Sequence, residues 1–226
     1  MGDYIHNALI KDSRWLWYVE GVGKTLLISL AAIAIGILIG IIVAIVKYVN
    51  KKFGKLKILS KVFDIYLTVF RGTPVYVQLL IMYLVVLVLL PTTMTAIITF
   101  GVNSGAYVAE IVRGGLESVD DGQLEAGESL GFSTTQIMLL IVLPQGFRRA
   151  LPALFNEFIA LVKETSIVGT IGVVDITKVA ARIVARTYEP FVPYIVSAII
   201  YLVIVIILTQ ILKILERRFS VSDRKH

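Results

Sequence analysis

Apolar stretches divide the chain. Residues 25–46 and residues 190–212 hold no charged side chain, and a bilayer core about 30 Å thick is crossed by roughly 20 apolar helical residues. Both are therefore expected to be transmembrane helices. Three less uniform apolar stretches lie between them. Residues 62–90 are interrupted by Phe70-Arg71-Gly72-Thr73-Pro74, where proline removes a backbone donor and bends or breaks a helix. After a short turn at Pro91-Thr92-Thr93, residues 94–112 carry Asn103, Ser104, Tyr107 and Glu110; residues 137–162 carry Pro144, Pro152 and Glu157. The pattern predicts an all-α integral membrane fold with about five crossings, the second broken and the fourth bent.

The intervening segments orient these crossings. Residues 1–20 mix Asp3, Lys11, Asp12, Arg14 and Glu20 with Trp15, Trp17 and Tyr18. Such a mixture settles at headgroup level, so these residues are read as an N-terminal interfacial helix ahead of a membrane domain over residues 21–217. They lack the short basic region and cleavage site of a secretory signal. Gly36 and Gly40 in the first crossing form a small-xxx-small pair that lets another helix approach. Lys47, Lys51, Lys52, Lys55, Lys57 and Lys61 follow with no acidic residue among them, which marks a cytoplasmic loop. Lys213, Arg217, Arg218, Arg224 and Lys225 do the same for the C-terminal end, with residues 218–226 as a cytoplasmic tail. Five crossings then leave the N-terminus outside. Residues 163–189 also lie outside in this arrangement, against the pull of Lys163, Lys178, Arg182 and Arg186.

Composition removes other classes. The chain has 226 residues, 57% hydrophobic and 17% charged, with a mean hydropathy of +0.85; soluble domains carry about a quarter charged residues. Cysteine is absent and the histidines are His6 and His226, at the two ends. Disulfides, thiolate catalysis and metal chemistry are not expected. The net charge of +6 gathers in membrane-flanking loops, so nucleic acid is not expected as a partner. Gly21-Val22-Gly23-Lys24-Thr25 ends like a phosphate-binding loop, but Tyr18 stands where that loop needs its first glycine. Asp120 and Asp121, adjacent on a loop, do not face one substrate. No enzyme active site and no bound cofactor are expected in this chain.

The loop over about residues 118–136 carries the identification. Read on into the fourth apolar stretch, it gives Glu125-Ala126-Gly127, three residues, Gly131, nine residues, then Ile141-Val142-Leu143-Pro144. This resembles the EAA loop of importer permeases of the ATP-binding-cassette superfamily, with Gly127 in place of the third-position alanine. Phe70-Arg71-Gly72-Thr73-Pro74 with Gln78, Asn103-Ser104-Gly105-Ala106-Tyr107 with Glu110 and Arg113-Gly114-Gly115, and Lys163-Glu164-Thr165-Ser166 look like the polar amino acid branch. The likeness runs from about Val22 to Arg217. It implies that the loop is a cytoplasmic coupling helix docking into an ATPase subunit through Glu125, Ala126, Gly127 and Gly131. ATP and magnesium then belong to that partner. The resemblance further implies a second permease subunit, identical or related, an extracytoplasmic amino acid binding protein, and residence in a bacterial inner membrane. The bland alternative is an acidic connecting loop with its carboxylates in water.

Polar side chains inside a span are costly and mark function by default. Asn103, Ser104 and Tyr107 fall near one face of the third crossing, while Glu164, Thr165 and Ser166 cluster at the far end of the fourth. These six are the candidate contacts to a zwitterionic amino acid, the two groups facing each other across a cavity. The acidic surplus points to arginine, lysine or histidine. The alternative is that these groups bond one another or a second subunit. The rival function is an ion-coupled secondary transporter or channel using Glu110, Glu157 and Glu164. That reading calls for two repeated halves, and none is visible.

Overall fold

A computed structural model describes residues 6–223, with side chains through residue 216. Residues 1–5 of the expected interfacial helix and the side chains of the expected tail, residues 218–226, fall outside the described part. The remainder is helical, with no strand among the described residues. Residues 6–13 form short π and 3-10 turns, ending at Asp12 and Ser13 with φ of 55° and 52°. The first long helix, α1, is Arg14–Phe53. The chain therefore turns at Asp12 and Ser13, and Arg14 to Glu20 are the opening turns of α1 rather than a separate interfacial helix. At 1.5 Å per residue the 40 residues of α1 extend about 60 Å, well beyond both faces of a bilayer core.

Gly54 and Leu56, both left-handed, turn the chain into α2, Lys57–Gly72. Then comes the break. α3, Val75–Val86, leaves α2 at 106°. Proline disfavours helical geometry in the residue before it, and Thr73 is extended with φ −119° and ψ 147°. α4 follows as Thr92–Glu117 and α5 as the short helix Asp121–Ser129. α6 runs Thr134–Ile171, π-wound over Ile137–Val142 and 3-10 from Thr165. α7 is Ile176–Thr187 and α8 is Phe191–Asp223. Among the described residues four helices are long and apolar enough to cross a membrane, and the bent pair α2–α3, taken together as a broken span, would bring the number to five. The expected third and fourth spans are both longer than their apolar cores, because polar ends such as Arg113–Glu117 and Lys163–Ser166 remain helical.

α4 lies at the centre, and glycine decides how close its neighbours come. A Cβ on Gly36 of α1 would sit 3.1 Å from Ser104, and one on Gly40 only 2.4 Å from Val108. In return, a Cβ on Gly101 or Gly105 of α4 would meet Ile35 or Ile39 at 2.8 and 3.0 Å. Each helix thus offers small residues to the bulky residues of the other. The Gly36/Gly40 pair does pack a helix, as its spacing suggests. On its other side α4 abuts α6, where a Cβ on Gly115 would meet the Gly146 carbonyl at 2.4 Å.

The segment between α6 and α8 reads as polar, yet it contains α7. Ile176, Val179, Ala180 and Ile183 are buried at helical spacing, and Asp175 caps the helix by accepting from the Thr177 and Lys178 N–H groups at 3.0 and 2.9 Å. Tyr201 of α8 donates to the same carboxylate at 3.2 Å. Burial pushes the Asp175 carboxyl above its ordinary range, opposed by these donors. α7 packs on the start of α1, where Arg186 lies 4.8 Å over the Trp17 ring. α5 sits near the opposite end of α1, with Lys52 bonded to Asp121 at 2.5 Å.

Gly40→Ala is expected to destabilise the protein by about 1–3 kcal/mol through overpacking, lowering its melting temperature in detergent. Gly23→Ala, with open space around it, is the control. Equal melting of the two variants would show that α1 and α4 do not depend on this approach.

Candidate functional site

The break in the second span leaves carbonyls without helical partners, and in lipid these must be satisfied internally. Gln78 Nε2 donates to the Phe70 carbonyl at 2.9 Å, the Thr73 carbonyl at 3.1 Å and Thr73 Oγ1 at 2.8 Å. Asn103 Nδ2 reaches across from α4 to the Phe70 carbonyl at 3.1 Å and Gln78 Oε1 at 2.9 Å. Asn103 is thus engaged in holding the break.

Ser104, the next residue, points about 100° away. Its buried Oγ donates to Glu157 Oε1 of α6 at 2.8 Å. Glu157 and Glu164 are seven residues apart, two turns along one face of α6. Thr165 is buried and donates to the Val162 carbonyl at 2.8 Å, while Ser166 is half-buried. The structure therefore brings Ser104 to the carboxylate-bearing face of α6 by direct contact and not across a gap. Glu157 is the residue that the sequence marked only as an intramembrane acid. Its spacing from Glu164 was the available signal.

Tyr107 is partly exposed and lies under the Arg71 guanidinium, 5.6 Å from its ring centre. Arg71 also comes within 3.7 Å of Glu110. Arg113 binds Glu110 at 2.6 Å and Glu117 at 2.8 Å, and Lys51 of α1 binds Glu117 at 3.1 Å. A charged chain of alternating sign therefore follows a half-buried side of α4 from the break to the end of the helix. Lys47 and Asp64 join α1 to α2 beside it.

α5 is a defined short helix. Asp120 caps its start by accepting from the Gly122 N–H at 2.8 Å. Its end closes on Gly131 with φ 77°, where the Gly131 N–H reaches the Glu128 carbonyl at 2.9 Å and the Phe132 N–H reaches the Gly127 carbonyl at 3.0 Å. This is the Schellman closure that glycine permits. Ser133 and Gln136 then form a capping box that starts α6. Leu124 and Gly127 face inward, and a Cβ on Gly127 would sit 2.9 Å from Ile141 Cδ1. The departure from the alanine of the motif thus matches a close approach. Glu125, Ala126, Glu128 and Gly131 are exposed. Among the described residues, no group of His, Cys, Asp and Glu side chains is arranged to hold a metal ion.

Comparisons with known proteins agree with this architecture. The family model described as "binding-protein-dependent transport system inner membrane component" matches residues 20–221. The putative glutamine transport system permease protein GlnP of Rickettsia bellii is 39% identical over 219 residues, covering 95% of this chain and 98% of the relative. The arginine transport system permease protein ArtQ of Bacillus subtilis is 37% identical, covering 91% and 93%. The L-cystine permease protein TcyB of the same organism is 33% identical, covering 97% and 94%. A solved amino acid ABC transporter with histidines superposes with a TM-score of 0.85 at 37% identity, covering 93% of this chain and 98% of that one. With the match spanning nearly its whole length, the chain belongs to the family of inner membrane components of binding-protein-dependent transport systems.

Proposed function

We propose that the chain is the membrane-spanning subunit of an ATP-driven importer of polar amino acids, and that it works by alternating access. The observation that carries this reading is α5. A helix capped at both ends, fastened to α1 through Lys52 and presenting Glu125, Ala126 and Glu128 outward, is a rigid contact for a partner that supplies work. ATP binding would close a pair of ATPase subunits, draw two such helices together and turn the cargo cavity outward; hydrolysis, with magnesium in the partner, would return it. A second permease subunit, identical or related, completes the pathway, and an extracytoplasmic binding protein delivers cargo. In this arrangement α5 and the lysine-rich turn face the cytoplasm, and the N-terminus and α7 lie outside.

Cargo contact is assigned to the cluster around Ser104, Glu157, Glu164, Thr165 and Ser166. Tyr107, beside Arg71, stands further along α4. Carboxylates accept from an α-ammonium or a basic side chain, and hydroxyls donate to the carboxylate end. Two acids on one face of α6 support basic amino acids as cargo, as does the relative named for arginine transport. The rival, an ion-coupled secondary transporter, would use the same acids but leaves the exposed face of α5 without a role.

Glu164→Gln is expected to raise the KM for arginine uptake by about tenfold, equivalent to about 1.4 kcal/mol, with a smaller effect on glutamine. Unchanged arginine kinetics would remove Glu164 from the site. Ala126→Arg, on the exposed face of α5, is expected to insert in the membrane yet no longer co-purify with the ATPase subunit. If the unaltered chain brings down no ATPase and its uptake ignores ATP, the importer reading fails. Orientation is testable because the chain lacks cysteine. Tyr188→Cys, at a position 91% exposed, should react with a membrane-impermeant maleimide in intact cells, and Leu130→Cys, at a position 74% exposed, only after lysis. The reverse pattern would invert the topology.

A further inference from the structure

We infer that the charged chain Arg71, Glu110, Arg113, Glu117 and Lys51 is a positioning element that ties the coupling helix to the break in the second span. The inference rests on the proposed function, since it specifies how movement of α5 reaches the membrane. Arg71 and Glu110 stand inside the second and third apolar stretches, where ionised groups are retained when they serve function, and none of these five belongs to the cargo cluster.

Their order is informative. Glu110, Arg113 and Glu117 occupy one face of α4 at spacings of three and four, so the chain runs about 10 Å along that helix. Its ends leave α4 for other helices. Lys51 belongs to α1 and is followed by Lys52, which holds Asp121, the first residue of α5. Arg71 belongs to α2 and immediately precedes Gly72, where that helix stops. Helix-stabilising pairs within α4 would need neither Arg71 nor Lys51. The links also differ in tightness: those from Lys51 to Glu110 measure 2.6–3.1 Å, whereas Arg71 and Glu110 are 3.7 Å apart, outside hydrogen-bond reach. The loosest link is thus the one at the break.

The backbone of the break is secured separately by Gln78 and Asn103. Its shape and its position are therefore controlled by different side chains. The amides preserve the bend, and the charges set where the end of α2 sits relative to α4. Displacement of α5 acts on the chain through Lys52 and Lys51, and the Arg71 contact transmits it to the bend or releases it.

The test uses the complete transporter in proteoliposomes with its cargo-loaded binding protein, read as cargo transported per ATP hydrolysed. Lys51 is 65% exposed, so Lys51→Gln should assemble normally; it is compared with Arg71→Gln and the double variant. Each single variant is expected to keep hydrolysing ATP while the ratio falls at least about fivefold. The double variant should fall no further than the worse single, because one cut already interrupts the chain. An unchanged ratio in either single variant, or losses that multiply as for independent sites, would overturn the inference. Should Arg71→Gln fail to assemble, Glu110→Gln replaces it in the same cycle, with the same outcomes decisive. Uptake by the unaltered transporter without ATP would instead sink the proposed function itself.

Discussion

The close approach of α1 and α4 is the contact on which the other relationships depend. In a bilayer, helices gain little from hiding apolar surface from lipid, so their association rests on packing and on the hydrogen bonds that packing permits. Gly36 and Gly40 admit Ser104 and Val108, while Gly101 and Gly105 admit Ile35 and Ile39. The reciprocal pattern fixes both the distance and the rotation of α4. Rotation then decides which polar side chain meets which partner. Asn103 faces the break, Ser104 faces Glu157, and Glu110 with Glu117 faces the basic residues of α1 and α2. A small change in that rotation would move all three contacts together.

The break in α2–α3 shows how a local chain rule acquires tertiary consequences. Pro74 ends the helix, and the Phe70 and Thr73 carbonyls then require donors. Gln78 supplies one from the following turn and Asn103 another from α4. Irregular backbone at membrane depth is tolerated where protein surrounds it and satisfies it. Asn103 therefore serves as a structural donor whose need is created 33 residues away in the sequence.

That distance explains where sequence reading succeeds and where it falls short. The uncharged spans, the break at Phe70 to Pro74, the small-residue pair at Gly36 and Gly40, and the family likeness of the Glu125 to Pro144 segment are local patterns, and each is found in the structure or the comparisons. The family follows from the same spacing. The start of α1 is obscured because Asp12 and Ser13, common turn residues, stand among the charges and aromatics that together read as one interfacial helix. α7 is hidden by its charges, although Ile176, Val179, Ala180 and Ile183 carry the helical period. Among the six cargo candidates, sequence spacing puts Asn103 and Ser104 side by side; only the packed neighbours separate the amide that holds backbone from the hydroxyl that meets an acid.

α1 has a mechanical consequence of its own. Near one end, Gly21 rests against the backbone of Asp175 and Ile176; near the other, Lys52 grips Asp121. The 31-residue separation of these points amounts to about 46 Å of continuous helix. A rod of that length is a long arm: a tilt of about 5° moves one end by roughly 4 Å relative to the other. The two faces of the protein, separated by the entire lipid layer, therefore share a single stiff member, and neither can be rearranged greatly without the other registering it.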